Sequence, residues 1–142
     1  MNEEKNNLIN TFINNFIQKN KRERVYFEMT NSKRRKLFVN RLNHSWDNIF
    51  EMKHLKQVDK ENDSPEYVKK LLNIKGNDLC YVISNNIEYD DKFFAFDEIF
   101  IDIYWEGWAS VIINIAADIV FLKTEQESGS PAKFIGNRQH KI

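Results

Sequence analysis

The sequence predicts an α+β domain, with three or four helices packed on a small, mostly antiparallel sheet that includes a C-terminal hairpin. Three observations carry that reading. Apolar residues at helical spacing dominate the first half of the chain, while short β-branched runs dominate the second. Only 4 Gly and 2 Pro leave little room for the turns of an all-β sandwich. A hydrophobic fraction of 42 %, with 13 % aromatic, is enough to fill one core and argues against disorder. At 142 residues the chain fits a single domain spanning 1–142.

The elements follow in order. Leu8, Ile9, Phe12, Ile13, Phe16 and Ile17 form the stripe of an amphipathic helix, with Asn2 as a cap and Glu3 and Glu4 at its positive end. Residues 20–29 suit either state: Val25, Phe27 and Met29 alternate like a strand, while Arg22, Val25, Tyr26 and Met29 suit a helix. From Asn31 or Ser32 to about His44 a second helix is expected, carrying a basic first turn that opposes its dipole. Trp46, Ile49, Phe50 and Met52 suit a short helix, and the polar stretch 56–63 reads as an exposed loop. Ser64-Pro65-Glu66 opens a helix whose buried face is Tyr67, Val68, Leu71 and Leu72, and Gly76 can end it.

Leu79 to Ile83 reads as a buried strand and 85–92 as a polar, acidic turn. Asp97 caps an expected helix to Glu106 through Ile99, Phe100, Ile103 and Tyr104. Ala109–Ile115 and Ile119–Lys123 form a hairpin around Ala116-Ala117-Asp118. Ser128-Gly129-Ser130-Pro131 is a turn, and Lys133 to Ile135 adds an edge strand. The sheet is thus expected from 79–84, 109–115 and 118–124.

Several classes fall away on composition. Cys80 stands alone, so no intrachain disulfide forms. The opening Asn2-Glu3-Glu4-Lys5 is acidic where a signal peptide is basic. The most apolar stretch, Val111 to Leu122, is broken by Asn114 and Asp118 and falls short of the roughly 20 residues of a membrane span. A cytoplasmic location with no membrane contact is expected. No Gly-rich phosphate loop, nucleophile elbow or dinucleotide fingerprint is present, so no cofactor is expected.

Formal charge is zero, with 21 basic and 21 acidic side chains, yet the charge is uneven. Between Lys19 and Arg41 nine basic residues face only Glu23 and Glu28; between Glu88 and Glu106 seven acids face only Lys92. Arg22, Arg24, Lys33, Arg34, Arg35 and Lys36 are therefore candidates for tracking nucleic-acid phosphates, against the plainer reading of a solvated or internally paired helix face. Glu88, Asp90 and Asp91 are candidate ligands for a hard cation, and with Asp97 they are the residues an unfamiliar metal-dependent hydrolase would use across 88–102. Acidic turns without metals are commoner. Cys80 lies among apolar strand residues, the setting of an inert thiol; as a nucleophile it would need His44, His54 or His140 brought close. Trp108, beside Trp105, is an interface candidate if exposed and a core cover if not.

Lys21-Arg22-Glu23-Arg24, then Ser32 to Phe38, then Asp78-Leu79-Cys80-Tyr81-Val82-Ile83-Ser84 resemble a family of small, uncharacterised bacterial proteins that pair a basic KRER and SKRRK segment with a later CYVIS strand. The similarity covers most of 21–138. It implies an acidic turn, a helix and a hairpin after the strand, and imports no activity. Where that pattern tends to carry glycine, in the acidic turn and the hairpin, this chain has Lys92 and Ala117. The residues together favour a non-catalytic interaction module acting through a protein partner or self-association, with charge setting orientation. Nucleic-acid binding is the alternative, and the hydrolase a third.

Overall fold

Strands built on apolar runs without polar alternation need cover on both faces. The computed structural model, which describes residues 2–125 and 131–139 (Asn2 without its side chain), provides it. Six strands form one antiparallel sheet: β1 (Leu55–Gln57), β2 (Leu79–Ser84), β3 (Lys92–Ala95), β4 (Ser110–Asn114), β5 (Ile119–Lys123) and β6 (Lys133–Asn137), in the order β1-β6-β5-β4-β2-β3. Among the described residues there are six α-helices. Four of them, α1 (Asn2–Phe16), α2 (Arg22–Met29), α3 (Arg35–His44) and α4 (Trp46–Ile49), share a core with Tyr81, Ile83, Val111, Ile113, Val120, Leu122 and Phe134 on one sheet face. The other two, α5 (Pro65–Leu72) and α6 (Phe96–Trp105), cover Cys80, Val82, Ile112, Ile119 and Phe121 on the opposite face. None of these helices is long and apolar enough to cross a membrane.

The α+β class and the hairpin stand as read from the sequence; the number of helices and the extent of the sheet are larger. Residues 20–29 resolve as a helix, because Val25 and Met29, one turn apart, are both buried against α1 and α3. The helix expected from residue 31 starts at Arg35, since the Asn31 side chain accepts the Lys33 backbone N–H at 3.0 Å and holds a turn there. The α5 start is as expected, with Ser64 Oγ accepting the Tyr67 N–H, but Asn73 in the left-handed region (φ 54°) closes it, not Gly76. Ala95, not Asp97, is the N-cap of α6: the Glu98 carboxylate accepts its N–H at 3.1 Å, while Asp97 pairs with Lys69 at 2.6 Å.

Three strand readings are corrected. The expected loop 56–63 begins with β1, and the segment following the acidic turn is β3; both are short edge strands too brief to show a period. Strand β6 is interior, lying between β1 and β5. It gets there through Gly136, where a Cβ would meet the Phe16 ring at 2.6 Å and Val120 at 2.8 Å. Ala117 takes a left-handed φ of 58° in the hairpin turn. The Asn15 side chain holds its carbonyl at 2.9 Å, and the Asn114 side chain accepts the N–H groups of Asp118 and Ile119, so tertiary contacts over-determine a conformation that alanine disfavours. Residues 128–130 of the expected turn, and His140, lie outside the described residues.

Candidate functional site

Long-range charge pairing decides which of the charged candidates face solvent. Arg35, at the start of α3, is buried and lies with its guanidinium 5.6 Å from the centre of the Tyr81 ring. It grips Asp90 through Nε at 2.8 Å and Nη2 at 2.9 Å. Asp90 also accepts the Ser84 backbone N–H at 2.9 Å, and Asp91 accepts the Tyr81 hydroxyl at 2.5 Å and Lys5 Nζ. Burial alone would lower the Arg35 pKa, but the bond to Asp90 and the charges around it outweigh that and hold it above its ordinary value. Tyr81 is pushed up by burial, with Arg35 opposing.

The basic stretch and the acidic turn therefore meet inside the fold at Arg35, which takes that residue and Asp90 out of the set of candidates free to bind a phosphate or a cation. Arg24 and Arg41 likewise converge on the buried Glu28. Arg22 donates to the Ile17 carbonyl at 3.0 Å, and Arg34 stands over the Phe27 ring at 5.8 Å. Lys33 and Lys36 are exposed. The six basic candidates thus form no continuous stripe.

The metal candidates are spent in the same way. Asp90 gives its oxygens to Arg35 and Ser84, Glu88 is exposed, and among the described residues no group of three His, Cys, Asp or Glu side chains is placed to hold a cation. Cys80 is buried under α6, and burial pushes its thiol up to about 12, which leaves it protonated and unreactive at neutral pH. Trp108 is half exposed and Trp105 more so, whereas Trp46 packs on Phe134 at 4.9 Å.

The motif reading passed over a polar row crossing the sheet. Ser84, Ser110, Lys123 and Lys133 stand in register on four strands, all buried on the α6 side. The Ser84 and Ser110 hydroxyls are 2.8 Å apart, and Ser110 donates to Glu106 at 3.0 Å. Lys123 Nζ donates to the Glu106 and Trp108 carbonyls; Lys133 Nζ reaches Asp63 at 2.9 Å, and Tyr104 donates to the same carboxylate. Strand parity holds the signal, since Lys123 is two residues from buried Phe121. Sealed from solvent, the row anchors the loop between α6 and β4 to the sheet.

A groove opens on the α1 side. It lies between α1 and the β2–β3 end of the sheet and has a volume of about 690 Å³. Leu79, Phe93 and Ile115 are its floor, and Leu8, Thr11 and Lys5 of α1 its wall. All three floor residues are substantially exposed, at 51 %, 40 % and 52 %. The groove runs beside β3, the last strand of the sheet order, whose outer edge pairs with no strand among the described residues. A volume of this size lies within the range of about 300–1,000 Å³ typical of ligand-binding clefts.

No protein-family model, no curated protein and no solved structure matches this chain.

Proposed function

We propose that this chain is a non-catalytic binding module that takes an extended, apolar segment of a partner protein along β3. The observation that supports this reading is the row of uncovered apolar side chains, Leu79, Phe93 and Ile115, flanking an unpaired strand edge. A partner segment adding to the outer edge of Lys92–Ala95 gains main-chain hydrogen bonds there. Its alternate side chains then drop over Phe93 into the groove. Area supplies the affinity and the groove floor the selectivity, with Lys5 and Glu4 of α1 at the rim.

A displayed library of random peptides selected against the folded protein tests this. Enriched sequences are expected to alternate apolar and polar residues. Binding should protect the amides of 92–95 from exchange and weaken at least about tenfold in Phe93→Asp, a change at a part-exposed position; the variant's unfolding midpoint shows whether the fold is kept. Unchanged binding in that variant, or protection elsewhere, would overturn the reading. A concentration-dependent dimer abolished by Phe93→Asp would give the edge to a second copy of the chain and displace the partner.

A further inference from the structure

A second hollow, of about 170 Å³, lies between α2, α3 and α4, and none of the groove residues lines it. Its walls are Lys21, Arg24, Arg41, Ser45 and Asn48, and its floor is the buried pair Val25 and Ile49. Three cations line it, and two of them, Arg24 and Arg41, bond the carboxylate of Glu28, which is 3 % exposed. Arg41 satisfies Glu28 with two bonds, and Arg24 adds one through Nε at 3.3 Å. The two terminal nitrogens of Arg24 make no hydrogen bond among the described residues. Lys21 is in no ion pair among the described residues, and the Ser45 hydroxyl caps nothing in α4. The neighbouring acids Glu23 and Asp47 do not line the hollow.

We propose that this hollow binds the terminal phosphate of a small phosphomonoester. Two positive charges stand in excess of Glu28, and a hydrogen bond between ionised partners is stronger than one between neutral groups. Guanidinium, ammonium, hydroxyl and amide donors from three helices converge, which suits an anion with several oxygens. Size sets the ligand class. The hollow is smaller than the roughly 300 Å³ at which whole-ligand sites begin, so it takes one tetrahedral group and leaves the rest of the molecule outside. A nucleic-acid duplex needs cations spaced along many phosphates instead, and the flanking Arg34 and Arg35 are turned to Phe27 and Asp90.

The test is a titration of the isotope-labelled protein with inorganic phosphate and with adenosine monophosphate at low ionic strength, chloride serving as the control anion. Saturable shifts are expected in the backbone amides of 21–25 and 45–49, equally in Phe93→Asp. Lys21→Gln and Arg24→Gln should each weaken binding about tenfold, the loss of one charge-assisted bond. Neither change removes Arg41 from Glu28, so an unaltered amide spectrum in the absence of phosphate confirms that each variant is folded. Absence of saturation, a chloride response of equal size, or full affinity in the double variant would overturn the proposal. A labelled duplex that binds more tightly than the monophosphate, with a steep salt dependence lost in the same variants, would assign the cations to nucleic acid and overturn it as well.

Discussion

The two faces of the sheet each bury a cation, and they answer it differently. On the α1 side Arg35 meets Asp90 and Asp91, carboxylates delivered by a turn 55 residues away in sequence. Its charge is matched, bonded on both edges of the guanidinium, and permanent. On the α6 side Lys123 meets only the carbonyls of Glu106 and Trp108, with the Glu106 carboxylate engaged by Ser110 and Asn86. Burial there lowers its pKa to about 8, Glu106 opposing the shift and Lys133 adding to it. Glu106 itself is raised by burial, with its hydrogen bonds opposing. A carboxylate stabilises the charged form of its partner, whereas a carbonyl satisfies hydrogen bonds while leaving the ion incompletely compensated. One cation is a fixed strut, the other a group that titrates within reach of neutral pH.

Breaking the strut gives the largest expected effect. Arg35→Ala leaves Asp90, whose side chain is 19 % exposed, without its guanidinium, and removal of one partner from a largely buried pair costs up to about 3–5 kcal/mol. Urea unfolding measures it; a loss below about 1 kcal/mol would place the pair at a surface value. The Lys123 side is sharpened by pH. Because its folded pKa of about 8 lies below that of a free lysine, the unfolded chain binds more protons between pH 8 and about 10. Stability conferred by this residue therefore rises with pH across that window, by on the order of 2–3 kcal/mol in full. Wild type should gain on Lys123→Met as pH goes from 7 to 9.5, the comparison removing the opposite trends of Cys80 and the tyrosines. A gap that narrows or stays constant would show that the ammonium is compensated after all. The smallest effect belongs to Lys5→Ala, which removes a part-exposed pair to Asp91 at 3.2 Å and should cost less than about 1 kcal/mol, with greater loss at low than at high salt.

Much of the architecture was legible because it is written in local pattern. The α1 stripe, the Ser64-Pro65 start and the apolar runs within β2, β4 and β5 each encode their state within a few residues. What local pattern lacks is a partner. Strands β1 and β3 span three and four residues, too few for a period to show, and exist because a neighbouring strand offers its edge. The conformation of 20–29 was open because both patterns fit, and α1 and α3 selected the helix by burying Val25 and Met29. The candidate site divides in the same way. Cys80 in an apolar strand reads as inert from its neighbours alone. The groove consists of residues from α1, β2, β3 and the end of β4, and no sequence spacing joins Leu8 to Phe93.

By itself the sequence determined the class of the fold, the most apolar strands and helices, and the existence of one basic and one acidic segment, because each rests on composition or on a period of a few residues. Tertiary structure alone decided that these segments meet at Arg35 and Asp90, that β6 runs inside the sheet, and which apolar side chains stay uncovered. The physical reason is that burial and ion pairing are properties of residues brought together from distant parts of the chain. A side chain's type fixes what it can bond, and its neighbours in space fix whether that capacity is already used.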